Sequence, residues 1–246
     1  MATNLCIDWG NTQVKASVFN AQDELVEKFT FPEAAAETTL SSIISSHRPG
    51  AGILCAVAGY PPSIEEILQE QLQYSHILDM HTRLPIMNAY HSPETLGADR
   101  LALVAGAYAQ FPDKNNLVIS VGTCITYNLI QKSKAFRGGA ISPGMHMRLQ
   151  SMHDHTDKLP LVPATGELLL LGYDTETSIR SGVIYGMAAE IDGMIEAFAA
   201  QYPDFNAVLT GGDTPLFEDK LKSKIFADPD LSLKGLNLIL KHNVPQ

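Results

Sequence analysis

An acid, a glycine and three polar donors fall within eight positions near the start of the chain: Asp8, Trp9, Gly10, Asn11, Thr12, Gln13, Val14 and Lys15. A tight turn on Gly10-Asn11, with the positive φ that such a pair favours, exposes backbone N–H groups. Asn11, Thr12 and Lys15 add donors suited to a polyphosphate, and Asp8 can hold a magnesium ion through water. The same residues also make an ordinary β-hairpin, since 5–7 is an apolar strand and Val14, Ala16 and Val18 alternate as its return.

Three further groups carry potential chemistry. Gly97-Ala98-Asp99-Arg100 opens a helical pattern over 96–110, setting a carboxylate beside a guanidinium fork suited to an anionic group. Alone, that pair is equally a surface ion pair or a helix cap. Gly122-Thr123 follows an apolar strand over 117–121, and Gly211-Gly212-Asp213 follows another over 206–210. His146, His153 and His155 lie near Asp154 and Asp157 but lack the i, i+4 pair of a catalytic zinc site, so an exposed polar loop accounts for them.

The elements that would position these residues are legible in outline. Strands are expected at 24–31, 52–58 and 75–79, with helices at 34–47 and 64–73 between them. A break at Phe111-Pro112 precedes a second strand, turn and strand, over 117–121 and 125–130, with a third strand near Phe136. This is a weak internal repeat of the first hairpin, with its boundary near 111–117. Helices follow at 143–154, 177–201 and 216–226, and 228–246 reads as a tail with one apolar stretch at 236–240. Gly182, Gly186 and Gly193 each cost the long helix roughly 1 kcal/mol relative to alanine, which predicts close backbone packing on another helix or subunit.

Composition narrows the function classes. The chain has 246 residues, is 45% hydrophobic, and carries 27 acids against 17 bases for a net charge of −10, with no basic patch for nucleic acid or an anionic membrane. Small-molecule chemistry is expected. No secretory leader and no membrane-spanning run is read, and Cys6, Cys55 and Cys124 fit reduced, buried thiols in a cytoplasm.

Two hairpin turns and a late Gly-Gly after a strand resemble the actin-like ATPase and sugar kinase superfamily. More narrowly, Asp8-Trp9-Gly10-Asn11-Thr12, Thr95-Leu96-Gly97-Ala98-Asp99-Arg100, Gly122-Thr123-Cys124-Ile125-Thr126, Gly138-Gly139-Ala140-Ile141-Ser142-Pro143-Gly144, and Thr175 seven residues before Gly182 resemble the type III pantothenate kinases over nearly the whole chain. The resemblance implies an α/β fold of two duplicated ribonuclease-H-like domains, 1–114 and 115–246, with mixed sheets flanked by helices. It implies ATP-dependent phosphorylation of pantothenate to 4'-phosphopantothenate, the first step of coenzyme A biosynthesis, by a cytoplasmic homodimer with substrate pockets near its interface. Asp8 to Lys15 would contact ATP phosphates and magnesium (Mg2+), Thr123 would be a second phosphate contact, and Tyr90, Gly97, Ala98, Asp99, Arg100 and Thr175 would hold pantothenate. Asp99 would accept the hydroxyl proton.

Two positions depart from the family pattern. An aspartate that helps bind potassium (K+) or ammonium (NH4+) is replaced by Ser120, and a further acid is replaced by Asn128. The loss of negative charge weakens a cation site, so altered or absent potassium activation is expected. Other readings of the same fold are a kinase for another small hydroxylated substrate and a regulatory protein of the transcriptional accessory type.

Overall fold

The computed structural model describes residues 3–245. In chain order the strands are β1 (Asn4–Trp9), β2 (Val14–Phe19), β3 (Leu25–Phe31), β4 (Ala51–Ala56), β5 (Tyr74–Ile77), β6 (Met87–Asn88), β7 (Asn115–Val121), β8 (Cys124–Ile130), β9 (Ala135–Pro143), β10 (Phe205–Thr210) and β11 (Phe226–Ala227). The helices are α1 (Ala36–His47), α2 (Pro62–Gln71), α3 (Ala98–Gln110), α4 (Met145–Asp154), α5 (Thr175–Gln201), α6 (Thr214–Phe217) and α7 (Leu231–Asn243).

The chain forms two compact units. One comprises Met1–Pro112, Ser133–Arg137 and Asp230–Gln246; the other comprises Asp113–Lys132 and Gly138–Pro229. In the first, the sheet order is β3-β2-β1-β4-β5, with β1 antiparallel to β2 and parallel to β4. In the second, β9-β8-β7-β10-β11 repeats that order, with β7 antiparallel to β8 and parallel to β10. The expected internal repeat is therefore a duplication of a whole five-stranded topology.

Side-chain alternation explains the layers of the first unit. Leu5, Ile7 and Trp9 pack one face of the sheet against Leu40, Ile43, Ile64 and Leu68 of α1 and α2. Cys6, Ile53 and Cys55 pack the other face against Ala102 and Ala105 of α3 and Leu233, Leu236 and Ile239 of α7. Each fully buried Leu or Ile contributes roughly 1.5–3 kcal/mol. In the second unit Leu117, Ile119, Tyr127 and Leu209 meet Met145 and Leu149 of α4 and Ile184, Met187 and Ile191 of α5. An Asp174–Thr177 capping box starts α5, satisfying donors that the first turn leaves unpaired.

Three sequence expectations need correction and a fourth is narrowed. The segment expected to be a tail contains the 13-residue helix α7. A methyl on Gly235 would lie 1.8 Å from the Ala102 carbonyl oxygen, so this glycine permits backbone contact between α3 and α7. The helix expected over 216–226 is only the single turn α6, because Asp192 instead accepts hydrogen bonds from the Lys222 and Ser223 backbone N–H groups at 3.0 and 2.9 Å. Gly182, Gly186 and Gly193 have open space where a methyl would stand, so among the described residues no helix packs on them and, of the two expected neighbours, only another subunit is left. Finally, positive φ among the described residues occurs elsewhere, and residues 10–13 turn without it.

Candidate active site

Asp8 is the penultimate residue of β1 and points to the face covered by α3 and α7. The hairpin beyond it is closed by the Gly10 N–H donating to the Gln13 carbonyl at 3.2 Å, leaving Asn11, Thr12 and Gln13 exposed. Trp9 and Val14 turn their side chains into the core, Trp9 tilted against Tyr60 at 5.9 Å between ring centres. A ligand at the loop thus meets only their backbone. Lys15 stands opposite Asp8 in the β1–β2 register, and Cys55 stands opposite it on β4.

The two helices on this face both begin near Asp8. Gly97 precedes α3, and Asp99 is its second residue, with its carboxylate folded so closely over Gly97 that a methyl there would lie 2.6 Å from Asp99 Oδ1. Burial, and then the charge of Asp8, pushes the Asp99 carboxyl up from its ordinary value. The backbone N–H and guanidinium of Arg100, and the N–H of Asp99 itself, act against that rise. Burial likewise pushes Asp8 up, opposed by the Ser232 hydroxyl and by Lys15. The Ser232 hydroxyl donates to Asp8 Oδ2 at 3.0 Å from the first turn of α7. The Cys55 thiol is held well above its usual range by burial and then by Asp8 and Asp99, which locates it beside both acids.

Arg100 is 5% exposed. Its guanidinium carbon lies 5.4 Å from the centre of Tyr90 and 5.7 Å from that of Phe136, whose rings are near parallel to each other. Tyr90 is positioned by its N–H donating to Asn88 Oδ1 at 3.1 Å, and by the parallel pairing of β6 with the start of β9. The first unit therefore brings together Asp8, Lys15, Asp99, Arg100 and Tyr90 from the expected set. It adds Ser232, Cys55 and Phe136. Ser232 had no motif around it; Phe136 was read only as a strand residue ahead of the Gly138-Gly139 motif, and Cys55 only as a buried thiol.

In the second unit three glycine motifs meet at the end of β7. A methyl on Gly144 would lie 2.0 Å from the Gly122 carbonyl oxygen, and the Gly144 N–H donates to Thr123 at 3.1 Å. Gly211, at φ +103°, lies against Val121, and the Asp213 N–H donates to the Val121 carbonyl at 3.1 Å. Behind Gly144, Arg148 binds Ser142 Oγ at 2.7 Å, the Pro143 carbonyl at 2.8 Å and Glu190 at 2.5 Å, while the Tyr127 hydroxyl donates to Glu190 at 3.0 Å. Thr123 itself is exposed, as is Thr175 at the start of α5. Ser120 lies between Thr126 and Thr210 in register, and buried Asn128 donates to Thr126 Oγ1 at 3.0 Å. Among the described residues no group of three His, Cys, Asp or Glu side chains is placed to hold a metal ion, and no helix is long and apolar enough to cross a membrane.

A duplicated ribonuclease-H-like topology, with a strand-turn hairpin heading each sheet, defines the actin-like ATPase and sugar kinase fold. Solved structures agree on that fold. A protein from Campylobacter jejuni assigned as a Baf family transcriptional activator superposes with a TM-score of 0.62 at 18% identity, covering 97% of this chain and 98% of that one. A protein from Sinorhizobium meliloti assigned as a 2-dehydro-3-deoxygalactonokinase superposes at 0.58 with 15% identity, covering 99% of this chain and all of that one, 100%. The type III pantothenate kinase family matches residues 4–197, and the type III pantothenate kinase of Bacteroides fragilis strain YCH46 is 43% identical over 244 residues, 98% of each chain. The chain belongs to the type III pantothenate kinase family.

Proposed function

We infer that this protein transfers the terminal phosphoryl group of ATP to the primary hydroxyl of pantothenate, giving 4'-phosphopantothenate at the entry to coenzyme A synthesis. The observation that carries this reading is the placement of Asp99, at the head of α3, in electrostatic range of Asp8 at the mouth of the hairpin. Phosphoryl transfer depends mainly on alignment and charge compensation, so an acceptor for the hydroxyl proton beside a phosphate-holding loop is a sufficient core. Burial and the neighbouring acid raise the proton affinity of Asp99, which suits it to accept that proton.

In this reading residues 8–15 hold the ATP phosphates, Thr123 is a second phosphate contact, and Tyr90, Gly97, Ala98, Arg100 and Thr175 bind pantothenate. The duplicated domains of this reading follow the two compact units, with residues 133–137 and 230–246 belonging to the first. Magnesium fits Asp8, because this ion commonly keeps several waters and takes one or two carboxylates alongside substrate phosphates, without a protein cage. When bound, it supplies charge neutralisation at the phosphates. Ser120, Thr126 and Thr210 offer hydroxyl oxygens to potassium or ammonium with no carboxylate among them. The exposed glycines of α5 support a homodimer, and the buried Cys6 and Cys55 thiols a cytoplasmic location.

A purified-protein assay tests this: pantothenate-dependent ADP formation is expected with magnesium, and its absence in every combination of magnesium, potassium and ammonium overturns the reading. A panel of hydroxylated acceptors separates pantothenate from other substrates.

A further inference from the structure

Ser232 and Asp8 are 224 positions apart, yet the serine hydroxyl donates to Asp8 Oδ2 at 3.0 Å. The hairpin's own sequence supplies no such contact. A carboxylate has two oxygens and several lone-pair directions, so one enclosed beside a second acid needs a donor to fix which oxygen it presents.

The helix bearing Ser232 is held on both sides of that contact. Lys28 reaches Asp230 just before α7 at 2.6 Å, and Lys241 in its last turn reaches Asp23 at 2.6 Å. Between them the Asn237 side chain accepts from Asn4 and donates to Asp23, each at 2.8 Å. Gly235 meanwhile seats the helix on the α3 backbone. Sliding α7 along its axis would break these contacts together, so Ser232 Oγ keeps a fixed place over Asp8.

We propose that Ser232 is a positioning residue for the reaction: its hydroxyl engages Asp8 Oδ2 and leaves Oδ1 as the oxygen offered to the hydrated magnesium ion and phosphates at the hairpin. This rests on the kinase reading, in which Asp8 holds magnesium through water. The C-terminal helix thereby becomes part of the phosphate end of the site. A cap at the start of α7 is the competing, purely structural role, and it would affect stability without affecting magnesium.

The test uses the full chain as wild type, Ser232→Ala and Ser232→Thr. Isothermal titration calorimetry measures ADP binding across a series of Mg2+ concentrations, and steady-state kinetics are run beside it. Ser232→Ala is expected to raise the half-saturating Mg2+ concentration about tenfold or more, with the KM for pantothenate unchanged. Ser232→Thr, which keeps the hydroxyl, should return it to within about threefold of wild type, well short of that loss. An unchanged Mg2+ requirement in Ser232→Ala overturns the proposal, as does equal impairment of both variants or magnesium-independent ADP binding by wild type. Wild-type protein that binds ADP with magnesium but forms none from ATP when pantothenate is supplied overturns the kinase reading alone.

Discussion

Gly144 rests directly on the Gly122 carbonyl, so that a single methyl at position 144 would stand 2.0 Å from that oxygen and 2.5 Å from the carbonyl of Thr123. Both neighbours are backbone and cannot rotate away. Gly144→Ala therefore has to shift the Gly122-Thr123 turn, and a misplacement of about 1 Å can cost on the order of 100-fold in rate. The expected result is a fall of that order in kcat/KM for ATP with the far-ultraviolet circular dichroism preserved.

Asp99→Asn keeps the shape of the side chain and removes the proton acceptor. Turnover is expected to fall by roughly 10²–10⁴-fold, with ADP binding by calorimetry retained. Wild-type activity in this variant would remove Asp99 from the mechanism.

The same carboxyl predicts two pH dependences. Its raised proton affinity places the acid limb of kcat/KM above the ordinary aspartate value of 3.8. For stability, a carboxyl that binds its proton more tightly when folded favours the fold below the unfolded value. That contribution is lost as pH rises through the raised folded one. Asp99→Asn should accordingly be more stable than wild type near neutrality, and urea midpoints of the two should converge as pH falls towards 3.8.

Gly235→Ala tests the seat of α7. The added methyl would lie 1.8 Å from the Ala102 carbonyl oxygen and 3.0 Å from the Gly106 nitrogen, both backbone. Overpacking of this kind costs about 1–3 kcal/mol or more, which equilibrium urea unfolding would read directly. Because Ser232 rides on the same helix, weaker magnesium-dependent ADP binding should accompany the lost stability.

Phe136→Leu removes one of the two rings facing the Arg100 guanidinium. The pantothenate KM is expected to rise several-fold while ADP affinity stays within about twofold, since a cation–ring contact of this type is worth roughly 0.5–2 kcal/mol. A changed ADP affinity with an unchanged pantothenate KM would contradict the assignment of Arg100 to the substrate side.

Much of this architecture is legible in the sequence because alternation and glycine turns are local signals. The hairpin of residues 8–15, the helix opening at Asp99 and the second strand pair after Gly122 are all of that kind. What was not legible depends on distant chain. Gly235 seats α7 on Ala102, more than 100 positions away, a contact no local pattern announces in a segment that reads as a tail. Lys222 and Ser223 are drawn out of helical geometry by Asp192, a residue of another element. Ser232 has nothing beside it in sequence that announces a site, and Phe136, though next to a glycine motif, gives no sign of its partner; only the fold carries them to Asp8 and Arg100. The outward glycines of α5 show the opposite case, a clear local signal that no helix among the described residues answers.

The composition of the first unit, from both early and late chain, bears on biosynthesis. Every strand and helix of the second unit is translated before α7, so a growing polypeptide carries Asp8 through synthesis of that whole unit without the helix that packs on its face of the sheet. The acid at the hairpin gains its hydroxyl partner only after the ribosome has made residue 232, later than every element of the second unit.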